Sequence, residues 1–217
     1  MIVTSAYTPR YRGEVKEFVD AASEHVGIGD TIDVNEVPSR GSWRANCGIK
    51  PSYILKILQK HKQPVIWVDI DGRFRATFSI GGWLAQEYDF AVWFIPNDKM
   101  MPRNVPGGDP SNDGLASGTM WFNYTPQGIG WLEAWADYEA NLMSGECEKY
   151  PSKFEQQDMG DLWYRRQAAK MGPKTYRLPQ QYCKVFDVPW FSKAEEHKVV
   201  VEHMQASRRL KGRQDRR

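Results

Sequence analysis

The run Val65-Ile66-Trp67-Val68-Asp69-Ile70-Asp71-Gly72 constrains this chain more than any other segment. Four consecutive apolar residues read as a strand buried on both faces, and such a strand needs cover on both sides of its sheet. The run then stops abruptly on two aspartates one residue apart. A buried strand that delivers two carboxylates to its carboxyl end is a place to hold a divalent cation, because hard oxygen ligands suit Mg²⁺ or Mn²⁺ and the cation offsets their repulsion.

The flanking pattern places this strand in an α/β sheet. Residues 2–6 read as a first strand and Thr8-Pro9-Arg10-Tyr11 as a loop, followed by a helix with Val15, Phe18, Val19, Ala22 and Val26 on one face. Thr31–Val37 reads as a second strand, Pro38–Ser42 as a break, and a helix is expected from Pro51 to about Lys60, with proline tolerated at its start. Further strands are expected at Tyr88–Ile95, Thr119–Asn123, Thr175–Leu178 and Lys198–Val201, with helices over Gln127–Met143 and Gln157–Ala169. Pro96–Gly114, rich in Pro, Gly, Asn and Asp, reads as a long loop: a lid, or simply a surface excursion. The βαβαβ order predicts a single α/β domain with a Rossmann-like, mostly parallel sheet flanked by helices, whose ligands bind at the carboxyl ends of the strands.

Composition narrows the class. With 217 residues, 41% hydrophobic and 26% charged, the chain can bury a sizeable core as one domain, expected over 1–207 with a basic tail over 208–217. Its apolar runs are shorter than the roughly 18 residues a membrane span needs, and Met1–Tyr7 reads as a strand rather than a leader, so the expectation is a cytoplasmic protein without membrane contact. Cys47, Cys147 and Cys183 lie far apart and suggest neither a disulfide framework nor a structural zinc site. The net charge is only +2, but Arg208–Arg217 carries six basic residues against one acid, an excess suited to a polyanion.

Two signatures compete for the aspartate pair. Asp69-Ile70-Asp71-Gly72 resembles the nucleophile motif of haloacid-dehalogenase-type phosphatases, in which Asp69 would attack phosphorus. Against this stand Arg73, where that family has Thr or Val, the 68 residues before the motif, and the lack of a later acidic pair. The second signature is spread along the chain. It comprises Ala6-Tyr7-Thr8-Pro9-Arg10-Tyr11, Gly41-Ser42-Trp43-Arg44-Ala45-Asn46, Lys50-Pro51-Ser52-Tyr53, the Asp-x-Asp strand end, Ser117-Gly118-Thr119-Met120-Trp121-Phe122-Asn123, Gln156-Gln157-Asp158, and Glu202-His203-Met204 leading into Arg208 and Lys211. In order and spacing these segments resemble the nucleotide-sugar glycosyltransferases of the GT-A fold over nearly the whole chain.

That resemblance implies a nucleoside-diphosphate sugar donor and a Mn²⁺ or Mg²⁺ cofactor. It implies metal ligation by Asp69, Asp71 and His203, donor contacts from Thr8, Tyr11, Lys50, Asp69, Ser117, Arg208 and Lys211, and acceptor-side catalysis by Asp158 and Gln157. A metal and cationic side chains aimed at the diphosphate would answer the charge that builds on the leaving group, and a carboxylate near the acceptor would take its proton if the reaction inverts. Without the resemblance, Asp158 reads first as a helix cap and His203 as an ordinary histidine, while Tyr11 reads equally as packing and Lys50 as a solvated residue before a helix. Gln156 and Gln157 are neutral where the family often has an acid before the amide, so inversion and retention both stay open.

For the acceptor, the basic C-terminal run and Arg73 with Arg75 suggest phosphate contacts. The sharper expectation is a modified base in DNA, as in bacteriophage enzymes of this kind, with a small molecule, protein or glycan as the other classes. A non-catalytic sugar-nucleotide or nucleic-acid binder with purely structural Asp69 and Asp71 is the remaining alternative. The sequence is silent on oligomeric state.

Overall fold

The aspartate-bearing strand lies in the interior, third in a six-stranded sheet. The computed structural model describes residues 1–27, 29–96, 113–145, 151–152, 154–185 and 198–211. The strands in chain order are β1 (Ile2–Tyr7), β2 (Thr31–Glu36), β3 (Val65–Val68), β4 (Gly72–Phe74), β5 (Phe90–Ile95), β6 (Gly114–Phe122), β7 (Thr175–Leu178), β8 (Lys184–Val185) and β9 (Val201–His203). The helices are α1 (Val15–His25), α2 (Trp43–Cys47), α3 (Lys50–His61), α4 (Gly81–Glu87), α5 (Pro126–Ser144), α6 (Glu155–Ala168) and α7 (Ala206–Lys211).

The main sheet has the order β2-β1-β3-β6-β5-β7, and a small one has the order β4-β9-β8. β6 runs against both of its neighbours, while the remaining pairings of the main sheet are parallel. This is the expected α/β architecture, a mostly parallel sheet covered by helices. Alternation along β3 divides the core. Val65 and Trp67 pack with Tyr53, Ile54 and Ile57 of α3 and with Trp131 and Trp135 of α5. Ile66 and Val68 face Phe18 and Ala22 of α1 and Phe74 and Val201 of the small sheet.

Local chemistry sets the helix ends. Thr125 caps α5 by accepting from the Gly128 N–H, Pro126 follows where no N–H is needed, and Gly145 ends the helix at φ 79°. In α3 the buried residues Tyr53, Ile54, Ile57 and Leu58 recur at helical spacing.

Several elements differ from the sequence reading. β6 begins at Gly114, not Thr119, because Gly114, Leu115 and Ala116 already pair with β5; the small, polar Ser117 and Gly118, which hid the strand in the sequence, fall in a register shift of that ladder. The strand expected at Lys198–Val201 lies at Val201–His203. The short elements β4, α2 and α4 carried no readable periodicity. Most of the expected loop, residues 97–112, lies outside the described residues. Among the described residues no helix is long and apolar enough to cross a membrane.

Candidate functional site

At the carboxyl end of β3 the chain turns at once, with the Gly72 N–H donating to the Asp69 carbonyl at 2.6 Å. Gly72 is needed here, since a Cβ would lie 2.3 Å from Val68 Cγ1. The turn feeds β4, and the register of β4 against β9 sets Gly72 opposite His203. Two segments 134 residues apart in sequence thus meet at the aspartate pair.

Asp69, Asp71 and His203 each offer one ligand atom, and these atoms lie within 4.8 Å of one another. His203 Nδ1 is 3.8 Å from Asp71 Oδ1, while Nε2 is 2.9 Å from Thr119 Oγ1. Ligands at about 2.1 Å from a shared cation stand roughly 3–4 Å apart, so the spacing fits a small divalent ion. Thr119, by engaging the second ring nitrogen, orients the first. Gly118 allows the histidine this close, since a Cβ there would sit 3.0 Å from its ring. The second oxygen of Asp71 accepts from the Ala206 N–H at 2.8 Å, at the start of α7. About a third of the Asp69 side chain is open to solvent (32%), which leaves an approach to the cluster.

Without a cation, burial and neighbouring charge set the protonation of the three groups, and a bound cation would have to displace the proton on His203. Burial pushes the Asp69 carboxyl up against the pull of Lys50, and the nearby Asp71 adds to the rise. Burial also acts on Asp71, but the adjacent His203 and the Ala206 N–H outweigh it and hold that carboxyl low. His203 itself is raised to about 10: burial disfavours its charge, yet the Cys183 sulfur and Asp71 overcome the penalty.

Beside this cluster lies a second one. Lys50, at the first turn of α3 and buried, reaches Asp69 Oδ1 at 2.9 Å, Glu155 Oε1 at 2.8 Å and Ser117 Oγ at 3.1 Å. Ser117 Oγ also donates to Glu155. Burial works against the ammonium, but Asp69 and Glu155 raise it above the usual lysine range, and Lys50 in turn holds Glu155 below the usual carboxylate range. The indole N–H of Trp67 donates to Asp69 Oδ1 at 2.9 Å. Thr8 and Tyr11 stand at the carboxyl end of β1, in and after the bend that opens the 3-10 turn Pro9–Glu14. Burial, reinforced by Asp71 and Asp69 among its neighbours, pushes the Tyr11 hydroxyl up to about 12, so it stays a neutral donor.

The structure therefore brings Lys50, Asp69, Asp71, Ser117 and His203 together, with Tyr11 within electrostatic reach. Asp158 is directed elsewhere. It is fully buried (0% exposed), accepts from Arg44 Nη2 at 2.7 Å and from the Ser152 N–H and hydroxyl at 2.9 and 2.6 Å, and shares Arg44 with Glu139 at 2.8 Å. Gln157 is half-buried in the same first turn of α6. Arg208 and Lys211 lie on the α7 backbone, and their side chains are outside the described residues. A phosphate contact from Arg73 does not fit, because it is buried against Glu14 and Glu17, whereas Arg75 is half-exposed in a surface pair with Glu202.

Sequence reasoning missed Glu155, Thr119 and Arg44. The one available signal for Glu155 was an acid directly before Gln156 at a helix start.

No known family model matches the chain, and no curated protein sequence matches it. Among solved structures, one similar fold is a glycosyltransferase involved in the glycosylation of the major capsid of PBCV-1, with a TM-score of 0.59 over 97% of each chain. At 13% identity the likeness is one of fold, and the chemistry has to be argued from the residues.

Proposed function

We propose that this chain is a metal-dependent glycosyltransferase that moves a sugar from a nucleoside-diphosphate donor to an acceptor hydroxyl. The observation that carries the reading is the convergence of Asp69, Asp71 and His203 at the carboxyl edge of the sheet, on a fold of this kind. Two carboxylates and an imidazole suit Mn²⁺ or Mg²⁺, which when bound supplies positive charge to the leaving diphosphate. Thr8 and Tyr11 flank the place for the nucleoside, and Arg208 and Lys211 add cationic charge for the diphosphate. Lys50 and Ser117, both buried behind Asp69, would act on the donor through Asp69 rather than by open contact.

On the acceptor side we keep Gln157, in the first turn of α6; Glu155, buried (3% exposed) and bonded to Lys50 and Ser117, braces that cluster beside Asp69. Asp158, first expected there as a base, would have to leave Arg44 and Ser152 to take a proton, and its bonds are those of a helix anchor. The DNA acceptor retains the basic C-terminal run and the half-exposed Arg75 in its support, now that Arg73 is paired internally. Transfer to DNA should fall steeply as salt rises, whereas transfer to a small neutral acceptor should not.

The test is Mn²⁺-dependent turnover of nucleotide sugars by the purified chain. Asp71→Ala should abolish it while the protein stays folded, whereas Glu155→Gln and Asp158→Asn should chiefly lower stability, by about 2 kcal/mol or more. Release of phosphate from phosphomonoesters without any nucleotide would instead favour the dehalogenase-type reading. Nucleotide-sugar binding with turnover unaffected by Asp71→Ala would leave a binding protein.

A further inference from the structure

Arg73 is almost fully buried (5% exposed) behind the turn that carries the two aspartates. Its Nη1 donates to the carbonyl of Ile70 at 3.1 Å and to that of Gly72 at 2.9 Å. On the other side, Nη2 donates to Glu14 at 2.7 Å and to Glu17 at 2.8 Å, and Nε donates to Glu17 at 3.2 Å. The guanidinium therefore bridges the Asp69–Gly72 turn and the segment leading into α1.

A tight turn leaves carbonyls that no ladder satisfies, and a buried carbonyl without a donor is costly. In this turn each one is held. The Asp69 carbonyl accepts from the Gly72 N–H and that of Asp71 from the Met204 N–H, and the remaining two accept from Arg73. The carbonyls of Ile70 and Gly72 belong to the residues on either side of Asp71. Their orientation sets where the Asp71 carboxylate points relative to Asp69 and His203. A guanidinium this close to a cation site would by itself repel the cation, but Glu14 and Glu17 neutralise it, so its effect is exerted through its donors rather than its charge.

We propose that Arg73 is a positioning residue for the cation site, fixing the Asp69–Asp71 turn in its ligating shape, a role that rests on the metal-dependent reading above. The experiment compares wild type, Arg73→Met, Arg73→Lys and Glu17→Gln for Mn²⁺ affinity, from the electron paramagnetic resonance signal of free Mn²⁺, with a thermal melt of each metal-free protein. Arg73→Met should weaken Mn²⁺ binding by about 10- to 100-fold, the range for residues that orient metal ligands. Arg73→Lys, which cannot serve both carbonyls, should fall between. Glu17→Gln, which keeps both carbonyl bonds and leaves Glu14 to neutralise the guanidinium, should weaken Mn²⁺ binding far less than Arg73→Met even if the melt shifts.

A folded Arg73→Met that binds Mn²⁺ as wild type does would overturn the proposal. If that variant fails to fold, an unaltered affinity in folded Arg73→Lys does the same. A wild-type chain that binds no Mn²⁺ at all sinks the metal-dependent reading itself, and with it this role, so the two failures are told apart by the wild-type titration alone.

Discussion

A single side chain, Lys50, shows how burial and charge are balanced in this protein. An ammonium so deeply buried is tolerable only because Asp69 and Glu155 surround it, and those carboxylates are tolerable for the same reason. The surface offers a cleaner case for titration. Asp33 accepts from Lys60 at 2.8 Å and from Asn35 at 2.6 Å, and lies 2.7 Å from His61 Nε2. Burial alone would raise its carboxyl, but these partners bring it down from 3.8 to about 2. A carboxyl lowered on folding contributes stability that is complete above its unfolded value and is lost as pH falls through the folded one. Stability should therefore decline between about pH 4 and pH 2, and Asp33→Asn should flatten that part of the curve in urea titrations across the range. An unchanged acid limb would show that the Lys60–Asp33–His61 group has no part in stability.

At the level of elements, the strand ends hold the chemistry and the close approaches hold the strand ends. β6 runs antiparallel to β3, so its Ser117-Gly118-Thr119 segment arrives at the β3 exit, where the Asp69 N–H donates to the Gly118 carbonyl at 2.8 Å. The start of α5 is equally close-packed, for a Cβ on Gly128 would stand 2.4 Å from the Asn123 carbonyl. Gly128→Ala should cost about 1–3 kcal/mol through this overpacking, read as a lowered urea midpoint with an unchanged slope. β1, β3, α3 and α5 were legible in sequence because their apolar runs or periods are clear and, in α5, because Thr125, Pro126 and Gly145 mark the ends. β4, β8 and β9 were not, or were misplaced, because two or three residues carry no period, and only pairing between distant segments makes them strands.

Across the whole molecule, the candidate cation site links the middle of the chain to its C-terminal part. His203 is set opposite Gly72, the Met204 and Ala206 N–H groups both bond Asp71, and Arg10 donates to the Leu210 carbonyl at the far end of α7. A chain ending at Gln205 keeps all three ligands but loses the Ala206 donor and the α7 contact. Its Mn²⁺ affinity should fall, and with it the stabilisation by Mn²⁺, which for an intact site reaches about 2.7 kcal/mol at a hundredfold excess over Kd. Equal Mn²⁺-induced shifts in melting temperature for the two chains would show that α7 plays no part in the site.

The α/β class, the buried strand ending in Asp69 and Asp71, and the expectation of a cation there were determined by the sequence alone. They rest on hydrophobic period and residue chemistry, which act locally. The partners of those aspartates were decided by the tertiary structure. The register of β4 against β9 set His203 beside Asp71, the reversal of β6 brought Ser117 and Thr119 to the same edge, and burial turned Asp158 toward Arg44 and Glu155 toward Lys50. No local pattern encodes these choices, because each depends on which distant segments meet and on how a buried charge finds its partner.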